Sequence, residues 1–453
     1  MPLPWSRVMT DQMPPFGVKA RRAILTGVLS TSVAWYCHFL YMAAAVVVFG
    51  HLFLPYGHPW SAGLTTVAVY GTGIAARPLG AVIFGNLADL TGRYPALAVS
   101  VCLTAAATGL MAFLPSWRQI GVSTGILLVV LRLVQELGSS GVSGSATVCA
   151  LESVSPGRRG LAGSLPQIGV ICGGAIAFGV LALLWSLLPA PAFYTWGWRI
   201  AFLAPVILLC IWWWAKESIN EAQASITLPA VGASIYWPLR SLVLRHRRRL
   251  LIATGVALGT EIAFSAMSIG YFHPRLLATG MSQSASLIVV VAGLVVFLTG
   301  VPLCGALSDW CGRQHVMLSG VILTTACTAA SSVLQRYSDA HLLSIIFLMS
   351  MAGFAALVGP QPALLAPLFP TSVRVSAIGL SSSCAAVPAG LLGATLTTST
   401  LTTWSGSKQP VTVYALVFLL VSAVAVLLAV RVQGPRAEAL LEPQPDPTPS
   451  PRP

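Results

Sequence analysis

Acid is what this sequence lacks most. Of its 453 residues only 12 are Asp or Glu, and all charged residues together make up 8%, against about 25% in an ordinary soluble domain. A chain so poor in charge cannot cover a globule exposed to water. Its nine cysteines, at 37, 102, 149, 172, 210, 304, 311, 327 and 384, never form a CxxC pair. They read as small core residues, not as a disulfide framework or a thiolate metal site. There is no GxxxxGK[ST] loop and no HExxH, so ATPase and metalloprotease chemistry have no support. No enzyme activity, cofactor or metal is expected. A cleavable signal is not expected either, because the first 18 residues are polar and proline-rich and the apolar run after them is too long for an h-region.

What is present is apolar. Hydrophobic residues make up 56% of the chain, in runs of about 20 that can each cross a hydrocarbon core about 30 Å thick. Expected spans are 23–54, 62–87, 95–114, 120–150, 161–188 and 198–216, then 250–272, 284–307, 316–335, 341–368, 375–401 and 411–431. This gives a disordered N-terminus (1–18), a six-helix bundle (19–216), a cytoplasmic linker (217–249), a second six-helix bundle (250–432) and a disordered tail (433–453). The net charge of +13 would suit nucleic acid, but its placement argues against that partner. Lys19, Arg21, Arg22, Arg93, Arg158, Arg159, Arg313 and Arg374 fall in alternate short connections, and Arg245 to Arg249 carry the run RHRRR. That is the positive-inside pattern, with both termini cytoplasmic and the bilayer as partner.

One stretch organises the rest. An apolar helix ends in Gly85-x-x-x-Asp89-x-x-Gly92-Arg93, and the pattern returns 220 residues later as Gly305-x-x-x-Asp309-x-x-Gly312-Arg313. The segments 156–174 and 370–390 match at nearly the same offset, each opening with Pro and a basic residue before a Gly/Ser/Ala-rich helix. Two matches at one offset point to a duplicated chain.

The repeated pattern resembles the loop signature of the major facilitator superfamily. That resemblance implies an all-α membrane protein of 12 transmembrane helices, with two six-helix bundles related by pseudo-two-fold symmetry. It also implies a central cavity, alternating access and a monomer. ARPLGAVIFGNLADLTGR (76–93), ESVSPGRRG (152–160), GWRIAFL (197–203) and LFPTSVRVSAIGLS (368–381) are similar to the metabolite:proton symporter branch, whose members carry shikimate, dicarboxylates and osmolytes. The branch's first-helix acids flanking Trp-Tyr are replaced here by Ala34 and Cys37, and the Arg after the loop Asp by Leu90 and Trp310.

Asp89, Arg93, Asp309 and Arg313 are the expected gating residues. An Asp at a helix end can accept from the N-terminus of a facing helix, and Glu152 is the expected partner of Arg93. Ionisable groups inside the bilayer are functional candidates by default, at about 2.5–3.5 kcal/mol each on insertion scales. Glu136 lies four residues after Arg132, so the two can pair, and Glu261 stands alone in its span. With His38, whose imidazole ordinarily titrates near neutral pH, Glu261 and Glu136 are the proton-coupling candidates. Arg77, Arg132, Tyr36, Tyr41, Tyr70 and Tyr271 are the substrate-binding candidates. Proton-coupled uptake of a small polar, anionic metabolite is the reading these residues favour. An exporter of the same fold and a transport-inactive sensor are the alternatives.

Overall fold

With no water in the bilayer core, a spanning segment must satisfy its own backbone, as a helix does. The computed structural model describes residues 16–49, 52–53, 72–207, 209, 238–266, 276, 279–333, 339–401 and 409–433. Among these residues the chain forms helices and turns, with no strand. The first half holds α1 (Val18–Ala44), α2 (Thr72–Thr91), α3 (Arg93–Met111), α4 (Val122–Glu152), α5 (Arg159–Leu187) and α6 (198–207). A short helix α7 (Pro238–Arg245) follows. The second half holds α8 (Arg247–Ala266), α9 (Gln283–Cys311), α10 (Arg313–Val333), α11 (Ala340–Val358), α12 (Arg374–Leu401) and α13 (Gln409–Gln433). Eight described helices are long and apolar enough to cross a membrane, and this is a multi-pass membrane protein.

Two boundaries differ from the sequence-based expectation. The first helix begins at Val18, taking in the basic residues expected to precede it, and passes into a π-helical turn at Ala45–Phe49. The expected continuous helix over 341–368 ends at Val358. Pro360, Pro362 and Pro367 then cut it into short turns at Gln361–Leu365 and Ala366–Leu368, because proline supplies no N–H and clashes with the preceding turn. The expected disordered segments and most of the linker lie outside the described residues.

Large side chains such as Leu110, Val291, Ile322 and Leu420 are exposed on the outer faces, where hydrocarbon replaces water as solvent. Small residues fill the helix contacts. Within the halves, α1 packs on α5, α2 and α3 on α4, α8 on α12 and α13, and α9 and α10 on α11. Helix α4 meets α12, and the broadest contacts between the halves are α2 with α12 and α5 with α9. Each of the four helices in these broadest contacts carries an interior proline, at Pro78, Pro388, Pro166 and Pro302. Proline-bearing helices thus build the broadest contacts along the seam between the halves.

Candidate functional site

At the end of the seam that carries the basic loops, α2 arrives close against α12. A Cβ on Gly85 would stand 2.6 Å from Ser376 Cα, so only glycine permits the approach. It brings Asp89 to the first turn of α12, whose N–H groups have no intrahelical partner. The carboxylate accepts from Val375 N (3.2 Å), Ser376 N (3.0 Å) and Ser376 Oγ (2.6 Å). Gly92, at φ +103°, then reverses the chain into α3. The second copy is built alike. A Cβ on Gly305 would stand 2.7 Å from Gly160 O, and Asp309 accepts from Gly160 N (2.8 Å) and Leu161 N (3.0 Å) at the start of α5. Gly312, at φ +91°, turns the chain. Each carboxylate sits where the helix dipole is positive.

Beside the first junction is a charged triad. Arg93 Nε and Nη2 lie 2.6 and 2.8 Å from the two oxygens of Glu152. Arg374 Nη1 reaches the same carboxylate at 2.7 Å, and Arg93 Nη2 also lies 3.4 Å from Thr371 O. Glu152 ends α4 and Arg374 opens α12, so the triad ties the two halves together. At the second junction Arg313 Nη2 donates to Pro156 O at 3.5 Å.

Deeper in the seam, Arg132, Gln135 and Glu136 share one face of α4. Glu136 is fully buried and gathers three partners. Arg132 Nη2 (2.8 Å) and His38 Nδ1 (2.7 Å) meet one oxygen, and Arg77 Nε (3.0 Å) meets the other. His38 Nδ1 also lies 3.2 Å from Arg132 Nη2. With its proton on Nδ1 the ring donates to Glu136; without it, the ring accepts from Arg132. Gln135 holds the cluster from behind, donating to Cys37 O (3.1 Å) and Thr108 Oγ1 (2.7 Å) and accepting from Arg132.

Only part of the cluster is accessible. Arg77 is 22% exposed and His38 15%, whereas Arg132 and Glu136 are closed off. The Arg77 guanidinium lies 5.8 Å from the Trp35 ring. Trp35 in turn stands edge-on to Phe264 of α8, with centroids 5.9 Å apart. Glu261 lies one helical turn before Phe264, on the same side of α8 and within electrostatic reach of Arg77. Among the described residues the terminal nitrogens of Arg77 take no hydrogen bond. The arrangement leaves the Arg77 guanidinium beside Trp35 and within electrostatic reach of a carboxyl from the other half.

Several expectations change. Glu261, expected alone in its span, lies within electrostatic reach of Arg77. Tyr36 is fully buried and donates its hydroxyl to Ala201 O at 2.7 Å, so it ties α1 to α6. Tyr41 is fully buried beneath the Arg132 guanidinium, 4.1 Å from its ring centre. Arg132 itself lies behind Glu136. These three are buried in this arrangement, where the binding role expected of them would need them accessible. Tyr70 and Tyr271 lie outside the described residues. Arg374, noticed in the sequence as a basic loop residue and a mark of the repeat, joins Glu152. Phe264 carried no sequence signal beyond its helical spacing from Glu261.

Residues 24–391 match the Major Facilitator Superfamily. The chain is similar to the inner membrane metabolite transport protein YhjE of Escherichia coli K12, 29% identical over 81% of this chain and 84% of the relative. It is 28% identical to the shikimate transporter of the same strain, over 90% of this chain and 94% of that one. Its identity with that strain's alpha-ketoglutarate permease is 29%, over 77% and 80%. In fold it resembles the proton:xylose symporter XylE bound to 6-bromo-6-deoxy-D-glucose, at TM-score 0.70 and 17% identity, over 93% of this chain and 99% of that one.

Proposed function

Because this chain belongs to the Major Facilitator Superfamily, we propose that it takes up a small anionic metabolite together with protons, by alternating access between its two halves. It is a transporter, not an enzyme. The substrate's carboxylate would occupy the terminal nitrogens of Arg77, a fork whose geometry matches a carboxylate bidentately. Relatives named for shikimate and alpha-ketoglutarate, both carboxylic acids, support an anion.

The observation that carries this reading is that Arg77 and Glu261, in different halves, lie within electrostatic reach of each other. An ionised Glu261 and a substrate carboxylate compete for one guanidinium. Protonating Glu261 removes the competitor and readies Arg77 for the anion, so proton and substrate load together. Glu136 stays committed to Arg132, Arg77 and His38, and keeps Arg77 aimed. His38 and Glu136 offer a second place for a proton at Nδ1.

Asp89 and Asp309, with Arg93, Glu152 and Arg313, would act as the gate at the basic end, which we take as cytoplasmic, with both termini and the 217–249 linker on that side. In this arrangement the gate is shut and substrate would enter from outside. Opening inward requires both carboxylates to leave their helix N-termini.

The test is proton movement in proteoliposomes carrying an internal pH dye, on addition of a panel of small carboxylates and neutral osmolytes. Acidification coupled to a carboxylate, lost in Arg77→Gln and in Glu261→Gln, is the expected outcome. Transport of neutral osmolytes alone, or carboxylate flux indifferent to the proton gradient, would sink the proposal.

A further inference from the structure

Helix α7 lies against both halves at the shut end of the seam. It packs on α2, on the turn Thr371–Val373, on α12 and on the start of α8. Leu242 anchors it, fully buried in the core cluster that also holds Ala88, Leu368, Phe369 and Val373. The next residues, Val243 and Leu244, are 47% and 65% exposed. Arg245, Arg247 and Arg248 follow, all exposed, and none takes part in any of the ion pairs among the described residues. Arg249 turns the other way and donates to Leu368 O at 3.1 Å. Leu251, at the start of α8, is 73% exposed on a membrane-spanning helix. The arginines therefore stand immediately beside the level where hydrocarbon begins.

We propose that α7 and the arginines after it form a latch that binds anionic phospholipid headgroups and so favours the shut state of the basic end. Charge complementarity and position select this occupant. A juxtamembrane run of arginines is drawn to an anionic leaflet, and exposed Val243 and Leu244 can enter the interface beside it. A soluble acidic protein would satisfy the arginines but would not account for apolar side chains at that depth. Leu242 keeps its seat on the seam while Arg245, Arg247 and Arg248 meet the headgroups, so lipid binding and docking reinforce each other. Once α2 and α12 separate, the two surfaces that hold Leu242 part and the latch loses its seat.

The experiment is amide hydrogen exchange on the full chain in nanodiscs of phosphatidylcholine, with and without phosphatidylglycerol. Two segments report: 238–249, and the first turn of α12, where Val375 and Ser376 bond to Asp89. Phosphatidylglycerol should slow exchange in both by about tenfold, since each arginine at an anionic surface is worth a factor of about five before competition with salt. Replacing Arg245, Arg247 and Arg248 together by Gln should abolish the response, and replacing them by Lys should restore it. Leu242→Ala should keep the lipid response of 238–249 while uncoupling the first turn of α12. An unchanged response in the Gln variant overturns the proposal, as does equal protection by free glycerol phosphate in phosphatidylcholine nanodiscs. A Leu242→Ala chain whose α12 still responds overturns the latch.

Discussion

Asp89 and Asp309 stand 220 residues apart and do the same thing at opposite junctions. Each carboxylate accepts two backbone N–H groups from the first turn of a helix in the other half. The duplication seen in the sequence is thus a physical two-fold device: each half caps a helix of its partner. The copies are not equal, because Asp89 also takes the Ser376 hydroxyl. Hydrogen bonds to a charged group contribute about 1.5–3 kcal/mol each. Asp89→Asn should therefore raise exchange at Val375 and Ser376 more than Asp309→Asn raises it at Gly160 and Leu161. Equal effects would show that the Ser376 hydroxyl adds nothing.

Glu152 is shared by Arg93 and Arg374, whose side chains are 15% and 4% exposed. Breaking a well-buried pair leaves an uncompensated charge, while a solvated pair contributes about 0–1 kcal/mol. Arg374→Gln should thus disturb the shut state more than Arg93→Gln. A double-mutant cycle with Glu152→Gln, read by exchange at Thr371 to Ser376, should give the larger coupling energy for Arg374.

Gly85→Ala forces α2 and α12 apart, because its methyl would meet the Ser376 backbone. Overpacking of this kind costs about 1–3 kcal/mol and should loosen the basic end. Gly125 on α4 has open space around it, so Gly125→Ala should leave the junction unchanged or add helix stability of about 0.5–1 kcal/mol. Matching effects of the two substitutions on exchange at the seam would contradict the close-approach account.

Glu136→Gln leaves Arg132 buried with its main countercharge gone. Loss of one partner from a buried ion pair costs about 3–5 kcal/mol, so a clear fall in Tm is expected in detergent. Glu261→Gln removes a carboxyl that is only partly buried, and should leave Tm nearly unchanged. Thermal unfolding of the two variants side by side checks the contrast.

Much of this was legible in the sequence, and the reasons for what was not are physical. The loop pattern repeats in full, and the chemistry of Gly, Asp, Gly and Arg at those spacings has few uses at a membrane edge. Arg132 and Glu136 were legible as a pair because helical spacing places them together. Spacing says nothing across helices, so the reach of Arg77 to Glu136, 59 residues away, could not be read. Nor could the phase of α1: Trp35 and Tyr36 are neighbours, yet one meets Phe264 of the other half and the other is sealed against α6. The role of Arg374 escaped because its partner lies 222 residues away in the other half.

The central claim is that Glu261 and the substrate compete for Arg77, and substrate affinity measured against pH tests it most directly. Titration of the purified protein with the best carboxylate from the transport panel, followed by Trp35-dependent fluorescence or calorimetry, would supply the curve. Wild-type affinity should fall as rising pH ionises Glu261, whereas Glu261→Gln should bind tightly at every pH. A Glu261→Gln protein that keeps the wild-type pH dependence would contradict the account.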